Sequence, residues 1–150
     1  MSESTDSPHE EKIHDLDQAA SWEAPKKKIL ILDDDFIFAD LIRLHLERSG
    51  YEVELAADGV QGIKKIMVND YSAILCDMVM PNLAGDMFYA AVERVKPQLC
   101  PRIVFVTGQR GDRKVEDFIR KVHAPVLWKP FQMNVLFETV RTVEKKVGGT

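Results

Sequence analysis

The chain has 150 residues, of which 45% are hydrophobic and 29% charged, with a formal net charge of -4 at pH 7. That length predicts about one domain, large enough to bury roughly two-thirds of the surface exposed by the unfolded chain. Two cysteines are too few for a disulfide framework, no apolar run approaches the ~20 residues of a membrane span, and the polar N-terminus is no signal peptide, so a cytoplasmic protein without membrane insertion is expected.

Charge is spread unevenly: residues 1–25 carry -6, residues 26–93 carry -5 and residues 94–150 carry +7. The first 25 residues are rich in Ser, Asp, Glu and Gln and poor in large apolar side chains, which predicts a disordered acidic leader. Ile13, Leu16 and Ala20 would nevertheless share one face of a short helix there. Ala24-Pro25 ends the leader, since proline disfavours helix in the residue before it. A folded domain is expected over residues 26–147, with 148–150 as a short tail.

Within that domain strand and helix signals alternate. An apolar run at Ile29–Leu32 predicts the first strand, and Phe38, Leu41, Ile42 and Leu46 then recur at helical spacing. Val53–Leu55 predicts a second strand, followed by a helix carrying Val60, Ile63 and Met67, with Asp58 placed to cap it. Ala73–Cys76 predicts the third strand and Met87, Ala91 and Val95 the helix after it. The last two pairs are Ile103–Val106 with Val115, Phe118, Ile119 and Val122, then Val126–Trp128 with Val135, Leu136, Val140 and Val143. Continuous apolar runs fit strands buried on both faces. Five β-then-α units predict an α/β fold: a right-handed, doubly wound parallel sheet with helices on both faces and functional groups at the carboxyl ends of its strands.

Polar residues stand at four of those ends: Asp33, Asp34 and Asp35; then Asp77; then Thr107; then Lys129. In a parallel sheet they converge on one rim. Clustered carboxylates repel unless a cation or proton sits among them. A donor set of oxygens alone points to a hard divalent ion, and a few carboxylates with waters suit Mg²⁺. A carboxylate beside Mg²⁺, a hydroxyl and an ammonium has the equipment to form an acyl phosphate. Asp35 reads as a helix cap, Cys76 as a core residue, and His45 and His123 as partly exposed structural residues.

The motifs LDDD (32–35), CDMVMPNLAG (76–85), VTG (106–108) and WKPF (128–131), spaced 44, 30 and 22 residues apart from Asp33 through Asp77 and Thr107 to Lys129, resemble those of a response-regulator receiver domain of the chemotaxis-regulator type. The resemblance runs over residues 28–146. It implies a flavodoxin-like five-stranded sheet of order 2-1-3-4-5 and a role in two-component signalling. It implies Asp77 as phospho-acceptor, Asp34 as a direct Mg²⁺ ligand, Asp33 as a ligand mainly through water, and the Val79 carbonyl as a further ligand. Thr107 would hydrogen-bond the phosphoryl group, Lys129 would pair with it through a cis Lys129-Pro130 segment, and Gly85 would serve the turn into the third helix.

Only Lys146 to Thr150 follow the last expected helix, so a single-domain response regulator is expected, one that catalyses only its own phosphorylation and dephosphorylation. Its partners would be a sensor histidine kinase or histidine phosphotransfer protein, and a downstream protein. The latter would bind the face of the fourth helix, fifth strand and fifth helix, where Arg110, Arg113, Lys114, Arg120, Lys121, Arg141, Lys145 and Lys146 fall. Those bases form no run interleaved with aromatics, so a protein-binding face is expected rather than direct nucleic-acid binding. The opposite charge of the leader gives it a basis for resting there; the plainer reading is a solubilising tail. Two features depart from the family pattern: Val126 stands where the fifth strand often carries an aromatic, and Val79 and Gln109 occupy positions that vary. A rival reading, a haloacid-dehalogenase-type phosphatase, finds its D-x-D pattern in Asp33 and Asp35 but has Ile37 where Thr or Val is wanted. A third is a phosphorylation-independent receiver scaffold.

Overall fold

The computed structural model describes residues 24–146; the leader predicted for residues 1–25 lies almost wholly outside the described residues, as do residues 147–150. Five strands and five helices alternate: β1 (Lys28–Leu32), α1 (Phe36–Arg48), β2 (Glu52–Ala56), α2 (Gly59–Val68), β3 (Ala73–Cys76), α3 (Gly85–Val95), β4 (Ile103–Thr107), α4 (Arg113–Val122), β5 (Val126–Trp128) and α5 (Met133–Glu144). A 3₁₀ segment, Pro97–Arg102, joins α3 to β4. All strand pairs are parallel and the order is β2-β1-β3-β4-β5. The doubly wound, flavodoxin-like topology is therefore as expected. No helix of the described residues is long and apolar enough to cross a membrane.

The two-residue period of each strand divides the core in two. Leu30 and Leu32 join Ile66, Phe88, Tyr89, Val92, Val115 and Ile119 under α2, α3 and α4. Ile29 and Ile31 join Ala39, Ile42, Leu46, Leu136, Val140 and Val143 under α1 and α5. Carboxylate caps start three of the helices: Asp35 accepts from Phe38 N at 3.1 Å, Asp58 from Gln61 N at 2.9 Å, and Asp112 from Lys114 N at 3.0 Å. His123, partly exposed in expectation, is exposed and ends α4 in the left-handed region at φ 57°.

Two helices sit one position away from the expected face. The inward residues of α2 are Gly59, Gly62 and Ile66, and those of α3 are Gly85, Phe88, Tyr89 and Val92. Val60, Met67, Met87 and Val95, read as core from their spacing, are exposed, as is Leu41 in α1. The reason is close approach. A Cβ on Gly62 would stand 2.4 Å from Leu32 Cδ2 and 3.0 Å from Phe88 Cε1, both in side chains with no exposed surface and no room to yield. Glycine lets α2 lie directly on β1, so its larger apolar neighbours turn outward.

Gly62→Ala tests that account. Alanine gains ~1 kcal/mol in helix propensity over glycine, whereas overpacking a filled core costs about 1–3 kcal/mol. Urea or thermal unfolding should show net destabilisation; an unchanged or raised midpoint would show that α2 has space to spare.

Candidate functional site

The register assembles the rim. Leu32 pairs with Cys76, so Asp33 and Asp77 leave the sheet side by side, and Thr107 pairs with Trp128, which puts Lys129 next to them. Backbone bonds fix each departure: Asp33 N to the Ala56 carbonyl (3.1 Å), Asp77 N to that of Leu32 (3.0 Å) and Lys129 N to that of Thr107 (2.9 Å). The Lys129-Pro130 bond is cis, as the resemblance implies.

Among the side chains, Lys129 Nζ donates to Asp33 Oδ2 at 3.0 Å and lies 3.9 Å from Asp77 Oδ2. Asp33 is 3% exposed, and its other oxygen accepts from Asp35 N at 2.9 Å. Asp34 is exposed and has no hydrogen bond among the described residues. Thr107 is fully buried and its hydroxyl accepts from Gln109 N at 3.2 Å. Val79 is exposed beside the site, with its N–H 3.4 Å from Asp77 Oδ1. Carboxylate oxygens of Asp33, Asp34 and Asp77 all fall within 4.8 Å of one another. Three hard oxygen donors this close, with a single ammonium to balance them, fit a small divalent cation such as Mg²⁺. Asp35 is not of this cluster: its carboxylate caps α1, which takes from the phosphatase pattern its second acid. His45 and His123 are not of it either.

Burial raises Asp77 to a pKa of about 6; Lys129 pulls it down, and the charge of Asp33 adds to the rise. The charged carboxylate is thus held at a cost in a site built to receive a cation.

Three supports escaped sequence reading. Lys129 Nζ rests 4.2 Å over the ring of Phe38, which itself meets Phe131 edge-on at 6.0 Å. Phe38 was legible only as a residue of helical spacing. Arg110 lies 4.9 Å over the ring of Trp128, tying the loop after β4 to β5. Asp58, foreseen as a cap, also accepts from Asn82 Nδ2 at 2.7 Å and so holds the loop between β3 and α3. Asn82 has φ 68°, in the left-handed region that asparagine tolerates. Gly85 closes that loop where a Cβ would meet the Asp77 carbonyl at 2.7 Å, which supplies the physical need for glycine.

The family model for the response regulator receiver domain matches residues 29–141. Response regulator ArlR of Staphylococcus saprophyticus is 41% identical over 127 residues, covering 79% of this chain and 53% of that protein. Response regulator receiver protein CpdR of Brucella abortus is 29% identical over 119 residues, covering 79% of this chain and 95% of that one. Among solved structures, a CheY-like receiver domain protein from Methanospirillum hungatei superposes with a TM-score of 0.73 at 28% identity, covering 80% of this chain and 94% of the other. The chain spans about half the length of several of the curated relatives it matches.

The raised pKa of Asp77 has a signed consequence. Its charged form is disfavoured in the fold, so it destabilises the protein above pH ~6, and that penalty vanishes as pH falls toward the ordinary carboxylate value near 4. Without divalent metal, Asp77→Asn should therefore melt a few degrees above wild type at pH 8, and the gap should close between pH 6 and 4. A gap independent of pH would show that charge at Asp77 is not its cause.

Proposed function

Because the chain belongs to the response regulator receiver domain family of two-component signalling, we propose that Asp77 is its phospho-acceptor, taking a phosphoryl group from the phosphohistidine of a sensor kinase or histidine phosphotransfer protein. The observation that carries this reading is the placement of Asp77 within 4.8 Å of the carboxylates of Asp33 and Asp34 and 3.9 Å from Lys129 Nζ. An oxygen of Asp77 forms the new P–O bond as the P–N bond of the donor breaks, leaving the donor imidazole with the electron pair. Asp34, exposed and free of hydrogen bonds among the described residues, would ligate Mg²⁺ directly. Asp33, with both oxygens engaged, would act mainly through water, and the Val79 carbonyl would complete the protein's share. When bound, the ion neutralises the carboxylates and the oxygens of the incoming phosphoryl group.

The chain's own groups do the rest. Thr107 holds a buried hydroxyl at the end of β4, the strand beside β3, and would hydrogen-bond a phosphoryl group carried by Asp77. Lys129 balances two carboxylates before transfer and gains a more highly charged partner after it, which draws the segment around Pro130 toward the rim. That shift biases an equilibrium between conformers of the α4–β5–α5 face. The face presents Arg110, Arg113, Lys114, Arg120, Lys121, Arg141, Lys145 and Lys146, all exposed; a downstream protein with acidic groups is its partner. The apolar stripe of Ile37, Leu41 and Leu44 on α1, which begins at the same rim, offers a protein donor surface to bury.

Acetyl phosphate with Mg²⁺ should add one phosphoryl group by intact mass, removed by hydroxylamine as an acyl phosphate is. Asp77→Asn should remain unlabelled, and Lys129→Ala should accept the group more slowly and bind the downstream partner poorly when equally phosphorylated. Undiminished labelling of Asp77→Asn would refute the assignment, and undiminished partner binding by phosphorylated Lys129→Ala would remove the coupling role of the lysine.

A further inference from the structure

The apolar residues displaced outward on α2 and α3 form one surface. On α2, Lys65 reaches toward Glu54 of the edge strand β2 at 3.8 Å, so the opposite flank, with Val60, Ile63 and Met67, turns toward α3. On α3, Tyr89 packs on Phe118 of α4 with ring centroids 5.7 Å apart, so Met87, Ala91 and Val95 turn toward α2. The two flanks border a seam between the helices in which Val60 is 44% exposed, Met67 65%, Met87 56% and Val95 50%. Lys96 Nζ donates to the carbonyls of Ile66 (3.0 Å) and Asn69 (2.9 Å) and locks the helices together at the lower end of the seam. Lys64 and Arg94 stand exposed on the outer sides of the two helices, neither in an ion pair among the described residues.

We propose that the seam between α2 and α3 is the docking site of the chain's own acidic segment, residues 10–23, with residues 10–20 bound as an amphipathic helix and the rest as the connection. The match is threefold. In a helix Ile13, Leu16 and Ala20 would share one face, with seven steps from first to last, a rise of ~10 Å, and Val60 to Met67 on α2 are also seven steps apart. Segment 10–23 has five acids against Lys12, opposite in sign to Lys64 and Arg94. The connection is short: Pro25 lies with Asp70, Tyr71 and Ser72 around one cleft at the amino end of the sheet, and Asp70 is two residues past the end of α2. Residues 21–24 have only to bridge from there to the lower end of the seam, a few residues at ~3.5 Å each.

Two other surfaces fit the segment less well. The apolar stripe on α1 is flanked by Asp40 and Glu47, which repel acids and already hold Arg43 between them. The basic face of α4 attracts acids, but α4 has no exposed large apolar side chain to cover Ile13 and Leu16.

Hydrogen exchange of the full chain at low ionic strength tests the proposal. Amides of residues 10–20 should exchange about tenfold more slowly than in full-length Leu16→Asp, the slowing of a segment docked nine-tenths of the time. The protection should vanish in the seam variant M67E/V95E and fade as salt rises. A second seam variant, K64E/R94E, keeps the apolar surface and should weaken protection without altering the fold; circular dichroism and phosphoryl acceptance report folding of both. Absence of protection in wild type, protection that survives in M67E/V95E, or protection that grows with protein concentration would each overturn intramolecular docking at the seam.

Discussion

The ammonium of Lys129 between Asp33 and Asp77 is the contact on which the rest of the rim depends. A parallel sheet places the carboxyl ends of β1 and β3 side by side, so two carboxylates that follow those strands are forced together whatever their mutual repulsion. One cation from β5, two strands away from β3, answers both, at 3.0 and 3.9 Å. That single group couples residues 33, 77 and 129, and its seat is prepared by Phe38 beneath it and Phe131 beside Phe38. The last, shortest strand of the sheet is thereby tied to the first.

One ammonium does not neutralise the site. Asp77 remains raised to a pKa of about 6 by burial and by Asp33, and Asp34 stands exposed without a partner among the described residues. The loop between β3 and α3 is meanwhile held from both sides, by Asp58 through Asn82 and by the Gly85 N–H on the Met78 carbonyl at 3.0 Å. Charge is left unsatisfied where the backbone is fixed. That combination suits binding of a cation and an anion in turn, because new charges meet preorganised groups.

The strands and their ends were legible because the signals are local: a buried parallel strand is an apolar run, and a polar residue at its end names the rim position. Ala73–Cys76 and Val126–Trp128 have the bounds expected of them. The inward face of α2 was not legible because two of its inward residues are Gly59 and Gly62, which hydrophobic periodicity does not count. On α3 the true set, Phe88, Tyr89 and Val92, competes with an apolar set at the same spacing one position away, Met87, Ala91 and Val95. On α4, where Val115 and Ile119 meet the sheet, the same reading succeeded. Phe38 failed to stand out for a different reason. A ring beneath an ammonium and a ring in a core share one spacing, and only the position of Lys129 distinguishes them.

Glycine contact and exposed apolar surface on this face have one origin. Gly62 lets α2 descend until its backbone meets Leu32 and Phe88, and Gly59 lets it meet Leu83. The same rotation of the helix that seats these glycines carries Val60 and Met67 out of the core, just as seating Gly85 against the Asp77 carbonyl carries Met87 outward on α3. Close packing on the inner side therefore leaves apolar side chains on the outer side. Such a contiguous surface is seldom left bare in a folded protein. The rim gains its fixed loop from the glycines, and the cost appears as an apolar seam between α2 and α3, on the other side of the same two helices.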